Sequence, residues 1–271
     1  VPCQSGYVCD QGICIEEQVA TAPPPSPLNQ GLILDLPFES GSTTTATPDQ
    51  SGLGNTGTVV GATWNFKGGY DGNGAYEFDG NDYIFVKHTS LLNIGTSDFS
   101  YLLWFKTTDP NQYQGLFAKD YYPTSPTAAV LFNGKINLIL RKNYPQDAYE
   151  FQSGVVVNDG NWHQLAVVLG GTTWKYYLDG QLKGTKTVEA ADYSNEKNIV
   201  IGARGINDLF FKGSIDGVKI YDSALTDLDI QNMYATESAK IPQQSPSPEC
   251  SAAVPCQSGY VCDQGICIEE Q

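Results

Sequence analysis

From residue 31 to residue 221 the chain is built of short runs in which apolar and polar positions alternate. In the clearest of them Phe99, Tyr101, Leu103 and Phe105 fall on one side, and Ser100, Leu102, Trp104 and Lys106 on the other. A period of two puts successive side chains on opposite faces of a β-strand. Leu102 and Trp104 make even the second face partly apolar, which predicts a central strand covered on both sides. With 99–107, the strand candidates are 31–38, 57–63, 75–79, 83–87, 114–119, 128–132, 135–141, 149–153, 162–169, 173–178, 181–187, 198–203 and 213–221. Short strands at this spacing predict a sandwich or a barrel. Two junctions read Asn133-Gly134 and Asp179-Gly180, pairs that tolerate the positive φ of both central positions in a type I′ hairpin.

One stretch changes period. Thr226-Asp227-Leu228-Asp229 resembles a capping box with Asp in place of Glu, and Leu228, Ile230, Met233 and Tyr234 follow at roughly helical spacing. A short helix is expected there, lying as a strap against the sandwich. Spacers bracket this domain. Residues 19–30 hold Pro23, Pro24, Pro25 and Pro27, and 238–249 hold Pro242, Pro246 and Pro248; fixed φ angles favour stiff, extended segments.

Beyond the spacers one sequence stands twice. VPCQSGYVCDQGICIEEQ fills 1–18 and again 254–271, an offset of 253 residues. Identity over that length marks a repeat period, so 250–271 is expected to open the next repeat. All seven cysteines, Cys3, Cys9, Cys14, Cys250, Cys256, Cys262 and Cys267, lie in these segments. Cys250 has no counterpart before Cys3, and its equivalent is expected in a preceding unit. Zinc sites usually bring C-x2-C pairs or histidines; here disulfides in an oxidising, extracellular setting are the expectation. Four cysteines allow three pairings. The interleaved one, Cys250 with Cys262 and Cys256 with Cys267, would pair Cys3 with Cys14 and leave Cys9 without a local partner.

Composition narrows the function classes. Fifteen basic against thirty acidic residues give a net charge of −15, which argues against nucleic acid and anionic membranes and is compatible with divalent cations. No apolar run approaches the roughly 18 residues that span a bilayer. Hydrophobic residues at 41% suffice for a core, and 28 glycines with 16 tyrosines lean toward strands and tight turns.

The segments GLILDLPFESG, DQSGLGNTGTVVGATW, AYEFDGNDYIFV, FSYLLWFK, DGNWHQLAVV, YYLDGQLKG and FKGSIDGVKIYDSALTDLDIQNMY, in that order, resemble the successive signatures of the laminin-G-like, concanavalin A-like jelly roll. The resemblance runs from residue 31 to about 236. It implies two packed antiparallel sheets with one concave face, used for sugar binding, adhesion or as a spacer in cell-surface proteins. CQSGYVC resembles small extracellular cysteine-rich motifs. The expected fold is thus all-β: a two-sheet antiparallel jelly-roll sandwich over 31–237 with one short C-terminal helix, flanked by small disulfide-rich segments.

Three chemistries follow. Retaining glucanases of this superfamily set two carboxyl groups about 5 Å apart in one cleft, yet the strand acids Glu77, Glu150 and Asp216 stand singly. His88 and His163 suggest no triad; the resemblance gives His163, in NWHQL, a structural place. A non-enzymatic protein is expected. Calcium needs oxygen ligands from Gly-rich loops, and the candidates are Asp49, Asn55, Asp79, Asn81, Asp82 and Asp216; the resemblance implies a cation near the sheet rim. The same residues also stabilise turns unaided, as Asn158-Asp159-Gly160-Asn161 is expected to do. Sugar binding would use aromatic faces in loops, and Tyr121, Tyr122 and Tyr144 are the candidates. The leading expectation is a structural repeat unit of an extracellular filament or cell-surface tandem-repeat protein, whose partners are further copies of itself. The alternative is a carbohydrate-binding adhesin module with cell-surface glycans as partners; an extracellular glycoside hydrolase comes third.

Overall fold

A computed structural model of the chain describes residues 7–10, 13–16, 30–39, 42–95, 97–119, 127–142, 148–206, 208–242, 260–263 and 266–269. Two antiparallel sheets form the sandwich. The first runs in the order Ala148–Val156, Lys135–Arg141, Thr127–Phe132, Tyr113–Lys119, Ile199–Ile201, Tyr83–Val86, Gly57–Val60 and Ala46–Thr47. The second runs Gln181–Thr187, Thr173–Leu178, His163–Gly170, Phe99–Lys106, Lys212–Tyr221, Ala75–Asp79 and Thr63–Asn65, with Leu32–Leu36 paired to the second half of Lys212–Tyr221. This is the all-β sandwich that the alternation implied, and the jelly roll that the resemblance implied.

Leu34, Leu36, Ile84, Phe99, Tyr101, Leu103, Phe105, Phe117, Leu138, Leu165, Val167, Ile215 and Ile220 fill the space between the sheets. Each such side chain withdrawn from water contributes roughly 2 kcal/mol. Phe99–Lys106 lies between His163–Gly170 and Lys212–Tyr221, and only Lys106 of its residues is not buried. Asn133 and Gly134 have φ of 52° and 70°, and Asp179 and Gly180 have 53° and 70°; both hairpins close as their residue types require.

The candidate run 57–63 divides. Gly61 takes φ of 86°, so Gly57–Val60 stays in the first sheet while Thr63–Asn65 crosses to the second. Ala46–Thr47 adds an edge strand too short to show any period.

The helix spans Asp227–Ser238. The Thr226 side chain accepts from Asp229 N, and an Asp229 carboxylate oxygen accepts from Thr226 N at 2.9 Å, so Asp completes the box despite its shorter side chain. Ile230 and Met233 pack on Leu102, Ala166, Val168, Tyr177 and Tyr221, the outer face of the second sheet. Asp227, in the first turn where negative charge is favoured, accepts from Lys175 Nζ and Tyr177 Oη, each at 2.6 Å. The helix is the strap that the sequence implied, and it supplies the second cover of the central strand.

The repeated segments fold alike. Tyr7–Asp10 pairs with Ile13–Glu16, and Tyr260–Asp263 with Ile266–Glu269, in the same register, setting Cys9 opposite Cys14 and Cys262 opposite Cys267. Cys3, Cys250 and Cys256 lie outside the described residues. No helix among the described residues is long and apolar enough to cross a membrane.

Candidate functional site

The outer face of the second sheet carries a row of polar side chains across four adjacent strands. Gln164 stands opposite Trp104, Trp104 opposite Asp216, and, past a bulge, Lys219 opposite Asp35. At the bulge Gly217 and Val218 occupy the length that Leu103 spans alone on the neighbouring strand. Gly217 supplies the φ of 56° this needs. The extra residue shifts the alternation by one, so that Val218 and Ile220 enter the core while Lys219 and Tyr221 face the helix side.

Glu237, in the last turn of the helix, closes the row. Its Oε2 accepts from Trp104 Nε1 and from Gln164 Nε2, both at 2.8 Å, and its Oε1 accepts from Lys219 Nζ at 3.1 Å. Lys219 Nζ also lies 4.0 Å from Asp35 Oδ1. The Trp104 ring is stacked between Tyr70, at 4.4 Å between centroids, and Tyr234, at 5.7 Å. Tyr70 rides on the loop that follows Thr63–Asn65 and donates its backbone N–H to Asp216 Oδ2 at 3.2 Å. A Cβ on Gly69 would fall 2.6 Å from that same carboxylate oxygen, so the lid over Asp216 requires glycine there. Asp216 is sealed from solvent, and its Oδ1 has no hydrogen-bond partner among the described residues.

Burial sets the electrostatics. The Asp216 carboxyl is pushed up to about 8 by desolvation, which the Tyr70 N–H opposes and the nearby Asp71 and Glu39 charges reinforce. Burial also raises Asp35, against the pull of Lys219. For Lys219 burial acts downward, but Glu237 and Asp35 outweigh it and hold the ammonium above its ordinary value.

Two cavities meet at Tyr70. One, of about 550 Å³, is bordered by Asp35, Glu39, Asp71, Lys219, Glu237 and Lys240. The other, of about 680 Å³, is bordered by Asn65, Lys67, Glu77, Lys106, Asn161 and Trp162. Trp162 is half-buried, with Lys106 Nζ 5.1 Å from its ring centroid and the Tyr70 ring edge-on at 6.5 Å. The second cavity thus offers an aromatic wall beside amide, ammonium and carboxylate groups, an arrangement suited to a polar ligand with an apolar face.

The sequence-derived candidates fall elsewhere for the most part. Asp49 accepts from the backbone N–H groups of Asp35, Ser51 and Asn55, and Asn55 Nδ2 donates to Ile33 O. Asp82 Oδ2 accepts from Asp79 N at 2.7 Å, and its carboxylate lies where a side chain on Gly61 would stand. The structure therefore brings Asp49 to Asn55 and Asp79 to Asp82, leaves Asn81 exposed and places Asp216 in the polar row. Among the described residues no group of three or more His, Cys, Asp or Glu side chains is arranged to hold a metal ion. Glu77 and Asp216 share an outer face, since Glu77 pairs with Ser214, but Glu77 is exposed and bound by Asn65 while Asp216 is sealed. Glu150 belongs to the other sheet. His163 is clamped between Asp179 and Asp159, at 2.9 and 3.2 Å, and Asp159 also accepts from Asn161 N as the expected turn requires. Tyr121, Tyr122 and Tyr144 lie outside the described residues. Sequence reasoning missed Asp35, Tyr70, Trp104, Trp162, Gln164, Lys219 and Glu237. One signal was present: Gly217 inside a strand pattern marks a bulge, and counting it turns Lys219 outward.

Residues 78–231 match a laminin G family model described as the concanavalin A-like lectin/glucanases superfamily. The chain belongs to this superfamily. Solved structures agree with the concanavalin A-like fold. The binding domain of Paraclostridial mosquitocidal protein 1 is similar with a TM-score of 0.66 at 16% identity, over 77% of this chain and 53% of that one. The binding domain of botulinum neurotoxin DC, in complex with rat synaptotagmin II, gives 0.61 at 14% identity over 82% and 54%. Botulinum neurotoxin type C, described as dependent on interaction with two ganglioside molecules for entering cells, gives 0.62 at 14% identity over 82% and 54%. The chain spans about half the length of these solved chains. No curated protein matches it.

Proposed function

We propose that this chain is a non-enzymatic, extracellular binding and adhesion module, strung in an array whose unit is the 253-residue period. The observation that carries the reading is the recurrence of one segment on both sides of the sandwich, each copy forming a hairpin of the same register. A compact bead between stiff Pro-rich spacers gives length at low conformational-entropy cost. Disulfides in the cysteine segments would staple the joints, and partners would be further copies of the same unit. Electron microscopy of native material tests this: evenly spaced beads on a continuous filament support the array, and isolated particles under all conditions refute it.

The cavity beside Trp162 and Tyr70 favours a second reading, in which each bead binds cell-surface glycans and the array supplies avidity. A pyranose would stack on the Trp162 ring while Asn65, Asn161, Lys106 and Glu77 reach its hydroxyls. The fold shared with receptor-binding domains of toxins is in keeping with such a role. Glycan-array binding by the isolated chain, lost in Trp162→Ala, supports it; binding that ignores the substitution refutes it.

A further inference from the structure

We propose that Lys219 and Asp35 condense to an intramolecular amide, an isopeptide bond joining the first strand of the second sheet, Leu32–Leu36, to the last, Lys212–Tyr221, with Glu237 as the proton carrier. Three features of the polar row support this. Lys219 and Asp35 are direct cross-strand partners, and the amine nitrogen already lies 4.0 Å from an Asp35 oxygen that accepts no hydrogen bond among the described residues. A carboxylate, Glu237, touches the same nitrogen at 3.1 Å and is held from its other oxygen by Trp104 and Gln164, so it cannot swing away. The three side chains are only 13–19% exposed, while the adjoining cavity of about 550 Å³ gives a leaving water somewhere to go.

The step balances without any other reactant. The resting pair is ammonium and carboxylate; transfer of one proton from Lys219 to Asp35 yields a neutral amine beside a neutral acid, a minor form that burial of both groups favours and that the Glu237 and Asp35 charges on Lys219 oppose. The Nζ lone pair attacks Asp35 Cγ. Glu237 takes a proton from the resulting tetrahedral nitrogen and passes it to the departing hydroxyl, the C–O bond breaks with its electron pair on oxygen, and water leaves. The product amide is neutral and donates its N–H to Glu237. Fixed proximity replaces the activation that condensation needs in solution, and the site exchanges a buried ion pair, which is costly to desolvate, for an uncharged link. If the chain is pulled as part of an array, the link between residues 35 and 219 carries the load past the intervening strands; only this consequence rests on the array reading.

Intact mass of the full chain, unfolded and with its cysteines reduced and alkylated, decides the matter. The expected mass is one water below that of the sequence, and a protease fragment should contain residues 35 and 219 joined. Asp35→Ala and Lys219→Arg should restore the full mass. Asp35→Asn keeps the size and hydrogen-bonding shape of the side chain and should form the same link with loss of ammonia, a mass signature that poor folding cannot imitate. Glu237→Gln should lower the linked fraction at least tenfold at early times after refolding. A cooperatively folded parent and a folded Asp35→Asn variant that both keep their full masses would overturn the proposal, as would a link between other residues.

Discussion

Replacing Asp216 by Asn is expected to abolish the pH dependence of stability that this side chain imposes. The folded protein holds the Asp216 proton up to about pH 8, whereas the ordinary carboxyl releases it near 3.8. Between those values the native state binds a proton that the unfolded chain has lost, so stability falls as pH rises through the window and the loss is complete above it. The slope approaches about 1.4 kcal/mol per pH unit, or roughly 4 kcal/mol between pH 5 and pH 8. Asn keeps an acceptor for the Tyr70 N–H at the sealed site and removes the titration, but leaves an amide donor without a partner, at a cost of about 1–3 kcal/mol. Asp216→Asn should therefore be no more stable than the parent near pH 5 and more stable by about 2 kcal/mol at pH 8. Urea melts of both proteins across this range, followed by tryptophan fluorescence, measure the difference directly. Taking the difference also cancels His163, whose value is raised by Asp179 and Asp159 and whose contribution fades as pH rises through its folded value. A gap between variant and parent that stays constant from pH 5 to pH 8 would refute the assignment of a buried, protonated Asp216.

Glu237→Gln weakens the acceptor shared by Trp104, Gln164 and Lys219, and in chains not linked at Lys219 should cost about 3 kcal/mol in melts at neutral pH by leaving a half-buried ammonium poorly paired; a change below about 0.5 kcal/mol in those chains would mean that the helix is held by Ile230 and Met233 alone. Trp162→Ala should preserve cooperative unfolding while lowering affinity for any bound glycan about tenfold, the scale of one aromatic contact. Because the carboxylates of Asp49 and Asp82 are taken up by backbone N–H groups, a chelator should leave the melting temperature of the jelly roll unchanged. A shift of several degrees would place calcium at those loops after all.

What could be read in the sequence was local. The alternation in Phe99–Lys106, the Asn133-Gly134 and Asp179-Gly180 turns and the Thr226 to Asp229 cap each need only neighbouring residues, and each stands in the structure as read. The polar row was hidden for two reasons. Its contacts join residues far apart along the chain: Trp104 meets Glu237 across 133 positions and Gln164 meets it across 73. The bulge at Gly217 also breaks the period of two, so that a regular reading of Lys212–Tyr221 places Val218 and Ile220 on the face of Asp216 and turns Lys219 into the core. The loop acids admit two readings for a physical reason as well: Asp and Asn beside Gly satisfy turn backbone and calcium with the same oxygens. The repeat was legible from identity alone, but its cysteine pairing was not, since three pairings share one spacing.

In the proposed array, beads like this one are joined in series at the repeated cysteine segments. Electron microscopy of the native assembly, with and without reductant, tests it most directly. Continuous filaments are expected, with one compact bead per repeat at even spacing, loosened at the joints when the cysteines are reduced. Single, unconnected particles in both conditions would contradict it.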